Sequence, residues 1–484
     1  MDPTFQSAGK LAAMVRRGDT SCLELLDHYI TRIETLDGTI NAVVVRDFER
    51  ARTRAKALDR KRKQGRAEGS LFGVPMTVKE SFDLKGHPTT WGIPALANHK
   101  AETDALAVQR LEAAGAVVFG KTNVPLFLGD WQSFNAIYGT TNNPWDTSRG
   151  PGGSSGGAAA ALAAGFTGLE LGSDIGASIR NPAHYCGVFG HKPTWGICPS
   201  TGHTIFGNVA ETDIAVIGPL ARSAGDLGLA LDAIAGPEPI EAGMQLKLPK
   251  PRLTSFKGMR VAIMTNHALA DVDHEVQGEL EALAKHLRAQ GAKVSMTARP
   301  DYDIARGHEL YVLMLRAITA GRYSEAEMEA FAAEAKKYEQ GDLSYPSLLA
   351  RGVPMRHAEF YRFNEERERM RRAWFEFFRS HDVFLCPVGA GTAMPHMQSG
   401  ERWERMIPVN GKQQPTTDQM FWAGISCFFR LPGTVAPLGI SKSGLPFGVQ
   451  IVGPQYGDRA TIGFAKLLEK SWRAFTPPPA FAGA

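Results

Sequence analysis

The sequence predicts an α/β fold built on a largely buried sheet, and three observations predict it. Leu25, Leu26, Tyr29, Ile30 and Ile33 recur at helical spacing near the start of the chain, as on a helix with one apolar face. From Phe72 onward the pattern changes to short apolar runs between glycines and prolines. Gly73 to Val78, Ala116 to Phe119 and Gly168 to Leu171 are such runs, with helical stretches such as Asp104 to Ala114 between them. That alternation belongs to strands buried on both faces and joined by helices. A further strand, helix and strand unit runs from Arg260 through Val294, and late apolar segments such as Phe447 to Gly453 return to the sheet.

Taken in order, the first seventy residues read as helices wrapping the core. The dense basic stretch Arg46 to Arg66 is interleaved with Phe48, Ala51, Ala55 and Leu58; this pattern indicates a solvated helix rather than a nucleic-acid contact. Ala158 to Ala164 is a strong helix former. The proline-rich segment from Gly236 to Pro251 marks either a boundary or a surface crossing. Arg356 to Ser380 is a long charged amphipathic helix with Phe360, Phe363, Trp374 and Phe377, leading into the strand Val383 to Pro387.

Apolar residues at 43% and charged residues at 21% of 484 are ordinary for a folded, water-soluble chain. A net charge of +4 is small for this length and gives no reason to expect a nucleic-acid partner. The five cysteines form no CxxC pair and lack metal-ligand spacing to histidines, so a reducing compartment and no metal or cofactor are expected. The N-terminus lacks a basic region followed by an apolar stretch, and Ala158 to Phe166 is too short to span a bilayer. A cytoplasmic protein without a membrane partner is the expectation.

Two serine-bearing glycine clusters and an upstream lysine carry the chemistry. The first is Gly152-Gly153-Ser154-Ser155-Gly156-Gly157, the second runs from Gly172 through Ser173, Asp174, Ile175, Gly176, Ala177 and Ser178 to Arg180, and the lysine is Lys79, followed by Glu80. A flexible linker would not run straight into the helix former at Ala158. With Lys121-Thr-Asn-Val-Pro125 and Asn143-Pro-Trp145, these segments resemble the amidase signature family of serine hydrolases. The resemblance is specific from Leu71 to about Pro237 and looser in the C-terminal strands.

That resemblance implies an α/β/α sandwich around a large mixed β-sheet, the amidase signature fold. Residues 1–70 would pack as N-terminal helices, 71–236 would form the catalytic core, and 237–484 would extend the same sheet and cover the pocket. It also implies roles: Ser178 as nucleophile, Ser154 as proton relay after a cis peptide bond, and Lys79 as base. The backbone amides of Ile175, Gly176, Ala177 and Ser178 would form the oxyanion hole. Amide hydrolysis needs these parts: a nucleophile, a base and donors for the developing negative charge.

The base must be neutral, which requires its pKa to fall by roughly three from the usual 10.4. Val74, Met76 and Val78 share one strand face, so Thr77 and Lys79 share the other, and an inward-facing Lys79 would be desolvated. The N-terminus of the helix near Gly156 would also disfavour a nearby ammonium. Without the serine clusters, a surface lysine beside Glu80 would be the simpler reading.

Two positions depart from the family pattern. Ala177 stands where most members have glycine, so a positive φ there would cost about 1 to 2 kcal/mol. Glu80 replaces a frequent aspartate.

Three rival readings are weaker. Gly152-Gly-Ser154-Ser-Gly156 matches the GxSxG elbow of α/β-hydrolases, with His184, His191 or His203 as partner, but this leaves Lys79 and the second cluster unexplained. A phosphate-cradling loop lacks the lysine of GxxxxGK[ST]. The A-type component of the glutamine-dependent tRNA amidotransferase is the serious alternative within the family, yet its SRYG-like and SLDQ-like segments are replaced here by Pro199 to Thr204 and Glu211 to Ala215.

A free-standing amidase acting on a small-molecule amide is therefore favoured, with oligomeric state open and a homodimer among the options. Leu126, Phe127, Leu128 and Trp131 match positions that line the acyl side of the pocket in relatives; Phe421, Trp422, Phe428 and Phe429 are further candidates. With no basic cluster beside them, these residues suggest a neutral aryl or hydrophobic amide or anilide, with esters and carbamates also open.

Overall fold

Strands from both ends of the chain join one mixed sheet. The computed structural model describes residues 2–205, 208–339 and 341–483. The strands are β1 (Val43–Arg46), β2 (Pro75–Lys79), β3 (Val117–Thr122), β4 (Glu170–Asp174), β5 (Phe189–Lys192), β6 (Val216–Ala221), β7 (Arg260–Ile263), β8 (Lys293–Ser295), β9 (Val383–Pro387), β10 (Gly433–Ile440) and β11 (Pro446–Val452). Their spatial order is β1-β3-β2-β4-β6-β5-β10-β11-β9-β7-β8. β2 runs parallel to both β3 and β4, and β7 runs parallel to β8 and β9. The remaining neighbours are antiparallel. Helices cover the sheet as an α/β/α sandwich, and every residue of β2, β3, β4 and β6 is buried. Both faces of those strands are covered, so their polar residues, among them Thr77, Lys79, Glu170 and Asp174, are buried as well.

The N-terminal helix Cys22–Leu36 starts at a Ser21/Glu24 capping box and buries Leu25, Leu26, Tyr29, Ile30 and Ile33. The stretch that reads as helices also supplies β1, which pairs with β3 at the sheet edge. The basic helix Phe48–Lys63 buries Ala51, Ala55 and Leu58, while Arg54 Nε donates to Ala116 O at 2.8 Å. The proline-rich stretch crosses the surface between the helix Ala224–Ile234 and β7.

In the helix His357–Ser380, Met370, Trp374 and Phe377 are buried, but Phe360 and Phe363 are only partly covered. All five cysteines are buried and unpaired. Among the described residues no helix is long and apolar enough to cross a membrane. The parallel trio β3-β2-β4 positions the site, because such sheets present ligands at the carboxyl ends of their strands. Lys79 and Asp174 are the last residues of β2 and β4.

Candidate active site

Lys79 is fully buried. Its Nζ donates to Ser154 Oγ at 2.7 Å and Ser173 Oγ at 3.0 Å. Burial pushes the amine down to about 7, against the pull of the Asp174 carboxylate, because a cation stripped of water is disfavoured. The surface-lysine reading is therefore excluded. Glu80 is also buried, and its oxygens accept from Thr90 N (2.7 Å), Trp91 N (3.0 Å) and the Tyr138 hydroxyl (3.1 Å) rather than from Lys79.

Close approach explains the glycines around Ser154. A Cβ at Gly153 would lie 2.3 Å from Asp130 O, and one at Gly157 would lie 2.4 Å from Asn123 N. The Gly153-Ser154 peptide is cis. The helix Gly156–Ala163 follows at once and is buried along its whole length, so its small residues let neighbouring backbone pack against it. Ser155 N donates to Ser178 O at 3.1 Å, which ties the two serine loops together.

The second loop is built on Asp174. One carboxylate oxygen accepts from Ala177 N (2.9 Å) and Arg180 Nη2 (2.9 Å), and the other from Ile179 N (3.1 Å) and Arg180 Nε (2.9 Å). Burial alone would raise this carboxyl, but the Arg180 guanidinium and the amides hold it well below the usual carboxylate range. Arg180 also reaches the C-terminal half, donating to Ala423 O (3.1 Å) and Ser426 Oγ (2.9 Å). Ala177 adopts φ +71°, so the loop does use the left-handed region, at about 1 to 2 kcal/mol for a residue with a Cβ.

Two side chains fix the loop from outside. The Tyr311 hydroxyl donates to Ile175 O at 3.2 Å, and Trp131 Nε1 donates to Gly176 O at 2.7 Å. Because a trans peptide points its carbonyl and amide in opposite directions, holding Ile175 O turns Gly176 N–H the other way. Among the described residues the amides of Ile175, Gly176 and Ser178 have no protein acceptor, whereas that of Ala177 is engaged by Asp174.

Ser154, Ser173, Ile175, Gly176 and Ser178 line one cavity of about 320 Å³. Ser178 is 6% exposed, and among the described residues no hydrogen bond engages its hydroxyl, from Ser154 or any other group. Phe127, Leu128 and Trp131 form part of the apolar wall with Ile217, Leu315 and Met420. Leu126 does not line the cavity and is 47% exposed, because the short turn Leu126–Leu128 bends through positive φ at Phe127 and Leu128. Phe421, Trp422, Phe428 and Phe429 are buried in the core and lie outside this cavity.

Among the described residues no histidine hydrogen-bonds Ser154 as an elbow base would; its hydroxyl meets Lys79 instead. His184 bonds Gly391 O (2.8 Å) and Gly448 N (2.8 Å), while His191 bonds Thr434 Oγ1 (2.8 Å) and Asp458 (3.2 Å). His203 does line the cavity, but its Nε2 meets Ser81 Oγ at 2.9 Å. Burial and nearby Lys79 push it down to about 3, so the ring is neutral.

The expectation of a pocket without basic groups fails. Arg316, Arg322, Arg402 and Arg405 line the same cavity as Leu128 and Trp131. They lie far away in sequence: Arg402 donates to the backbone of Gly129, 273 positions earlier. No local pattern could have disclosed them, nor Tyr311 or Met420.

A family model described as Amidase matches residues 24–462. Among curated proteins, the A-type component of the glutamyl-tRNA(Gln) amidotransferase of Anaeromyxobacter sp. (strain K) is 33% identical, over 95% of this chain and 94% of that one. Human fatty-acid amide hydrolase 2 is 29% identical over 98% of this chain and 90% of its own. Among solved structures, a bacterial aryl acylamidase of the amidase signature family superposes with TM-score 0.83 at 24% identity, over 100% of both chains.

Proposed function

The chain belongs to the amidase signature family of hydrolases, which act on C–N bonds, and from that premise we propose that it cleaves carboxamides with Ser178 as nucleophile, Ser154 as relay and Lys79 as base. The supporting observation is the 2.7 Å contact from a fully buried Lys79 to Ser154. An amine pushed down to about 7 is largely neutral above that pH and can take the Ser154 proton. Ser154 in turn takes the proton of Ser178 as Ser178 Oγ attacks the amide carbon. The carbonyl oxygen, now negative, meets the amides of Ile175, Gly176 and Ser178. The Ala177 amide, committed to Asp174, shapes the loop rather than completing the hole. The proton then returns through Ser154 to the departing amine, leaving an acyl-enzyme that water hydrolyses by the same route in reverse.

Phe127, Leu128 and Trp131, with Ile217, Leu315 and Met420, favour an amide or anilide carrying an aryl or alkyl group. Burial in such a wall is worth about 0.8 kcal/mol per CH₂. The purified chain, assayed without partner proteins or ATP against anilides, alkyl amides, acetamide, glutamine and asparagine, should prefer aryl or alkyl members. Ser178→Ala should abolish both turnover and the covalent acyl adduct, and Ser154→Ala should cost several orders of magnitude. An adduct on Ser154, with Ser178 dispensable, would refute the assignment. The 33% identity to a tRNA amidotransferase component favours a second reading, an ammonia-releasing member of a larger complex, which free glutamine hydrolysed faster than every other amide would establish.

A further inference from the structure

Three arginines on the cavity wall have no acid to answer them. Arg316 is 6% exposed. Its Nε is buried without a hydrogen-bond partner, and among the described residues neither its guanidinium nor that of Arg322 or Arg402 meets a carboxylate. Arg402 spends two donors on Gly129 O and the Tyr345 hydroxyl, and Arg322 gives one to the Tyr323 hydroxyl at 2.9 Å.

The acids on this wall are already committed. Asp130 pairs with Arg405 at 2.5 Å, and Asp174 pairs with Arg180 at 2.9 Å. Arg316 and Arg402 both lie over the Tyr345 ring, at 5.7 and 5.2 Å from its centroid. Burial would raise that phenol, yet Arg316, Arg402 and Arg322 bring it below its ordinary value. Burial likewise pushes Arg316 down to about 10, where it still carries its charge at neutral pH. A buried cation left without a counter-charge is costly, and its planar fork of donors matches a carboxylate.

Position says which part of a substrate it meets. Arg316 and Tyr311 lie on one helix, Ile304–Ile318, and Tyr311 touches the Ser178 loop at Ile175 O. They stand five positions apart, about 7.5 Å along its axis. Leu315 and Ile318 line the same cavity as Arg316 and Ser178, so one cavity holds apolar wall, charge and nucleophile.

We infer that the substrate is an amide whose apolar body ends in a carboxylate, seated on Arg316, Arg322 and Arg402 while the amide lies at Ser178. This rests on the amidase reading and names its substrate class: anionic, amphipathic amides.

The test compares the monoanilides of glutaric, adipic and pimelic acids with matched anilides in which an isopropyl group replaces the carboxylate, scoring aniline release. At least one acid should show kcat/KM about tenfold or more above its neutral match, the size of effect a charged hydrogen-bond pair brings. Arg316→Met should collapse that ratio toward one, and Arg322→Gln, at a half-exposed position, should lower it at least threefold. Calorimetric binding of the same pairs to Ser178→Ala needs no turnover and should favour the acid by a similar factor. Neutral members that bind and turn over as well as the acids, or a preference that survives both arginine substitutions, would overturn the inference. Absent turnover together with retained acid preference in Ser178→Ala would instead refute the amidase reading and leave the anion site standing.

Discussion

The lowered pKa of Lys79 serves activity and costs stability, and both effects can be measured. With its amine pushed from 10.5 down to about 7, kcat/KM should rise about tenfold per pH unit below 7 and level off above about 8. An ordinary lysine near 10.4 would be neutral in only about one molecule in 2,500 at pH 7, and its profile would still climb at pH 9. The same displacement acts on folding. Between pH 7 and 10.5 the unfolded chain holds the Lys79 proton more tightly than the folded one, so stability increases with pH across that window. Below pH 7 both states are protonated and the whole penalty is felt, about 5 kcal/mol for this displacement.

Lys79→Met removes the penalty and also the two hydrogen bonds to Ser154 and Ser173, each worth about 1 kcal/mol. The inactive variant should therefore be more stable than the parent at pH 6 by about 3 kcal/mol, with the gap narrowing by pH 9. Thermal midpoints at the two pH values, set beside a kcat/KM profile from pH 5 to 10, test both halves. A variant less stable than the parent at pH 6, or an activity profile that keeps rising past pH 9, would refute the neutral-base argument.

Ala177→Gly should relieve the φ of +71° and raise the thermal midpoint, a gain of about 1 kcal/mol after the extra freedom of unfolded glycine is deducted. If the methyl crowds the attacked carbonyl, kcat rises too; an unchanged substrate range with lower kcat would show that the methyl helps. Arg180→Met should destabilise by about 3 to 5 kcal/mol, since it leaves Asp174 buried and unpaired, and denaturant midpoints will show whether it does. Trp131→Phe keeps the ring but loses the donor to Gly176 O, so kcat should fall about tenfold on every substrate alike; a loss confined to bulky substrates would reassign Trp131 to the pocket wall alone.

Much of the fold was legible because its strands are buried on both faces. Such strands appear as short, mostly apolar runs between glycines and prolines, and β2, β3 and β4 each overlap one of those runs but continue past its end to Lys79, Thr122 and Asp174. β1 was harder to assign: Val43–Arg46 is a four-residue edge strand between helices, too short for periodicity to separate from its neighbours. The chemistry was legible for a similar local reason. Ser154, Asp174 and Ser178 lie within 25 consecutive residues, and close backbone approach demands glycine at Gly153 and Gly157. Leu126 was misplaced because facing within a turn depends on φ at Phe127 and Leu128, which the residue types do not reveal. The arginines were missed because helix and loop residues between 316 and 405 reach the pocket only through the tertiary fold.

This division of labour has a consequence for how the site can be altered. The reacting groups lie between Lys79 and Ser178 at the ends of β2 and β4, clamped from the C-terminal half by Arg180 through Ala423 and Ser426. The charged end of the pocket instead comes from the helix Ile304–Ile318 and the segment holding Arg402 and Arg405. Within that part, Tyr311 alone among the groups traced above touches the loop of Ser178, through Ile175 O. A substitution at Arg316, Arg322 or Leu315 therefore changes which amide is held. A substitution at Tyr311 or Trp131 loosens the peptide planes whose amides receive the negative charge, and its effect should fall on kcat whichever amide is bound.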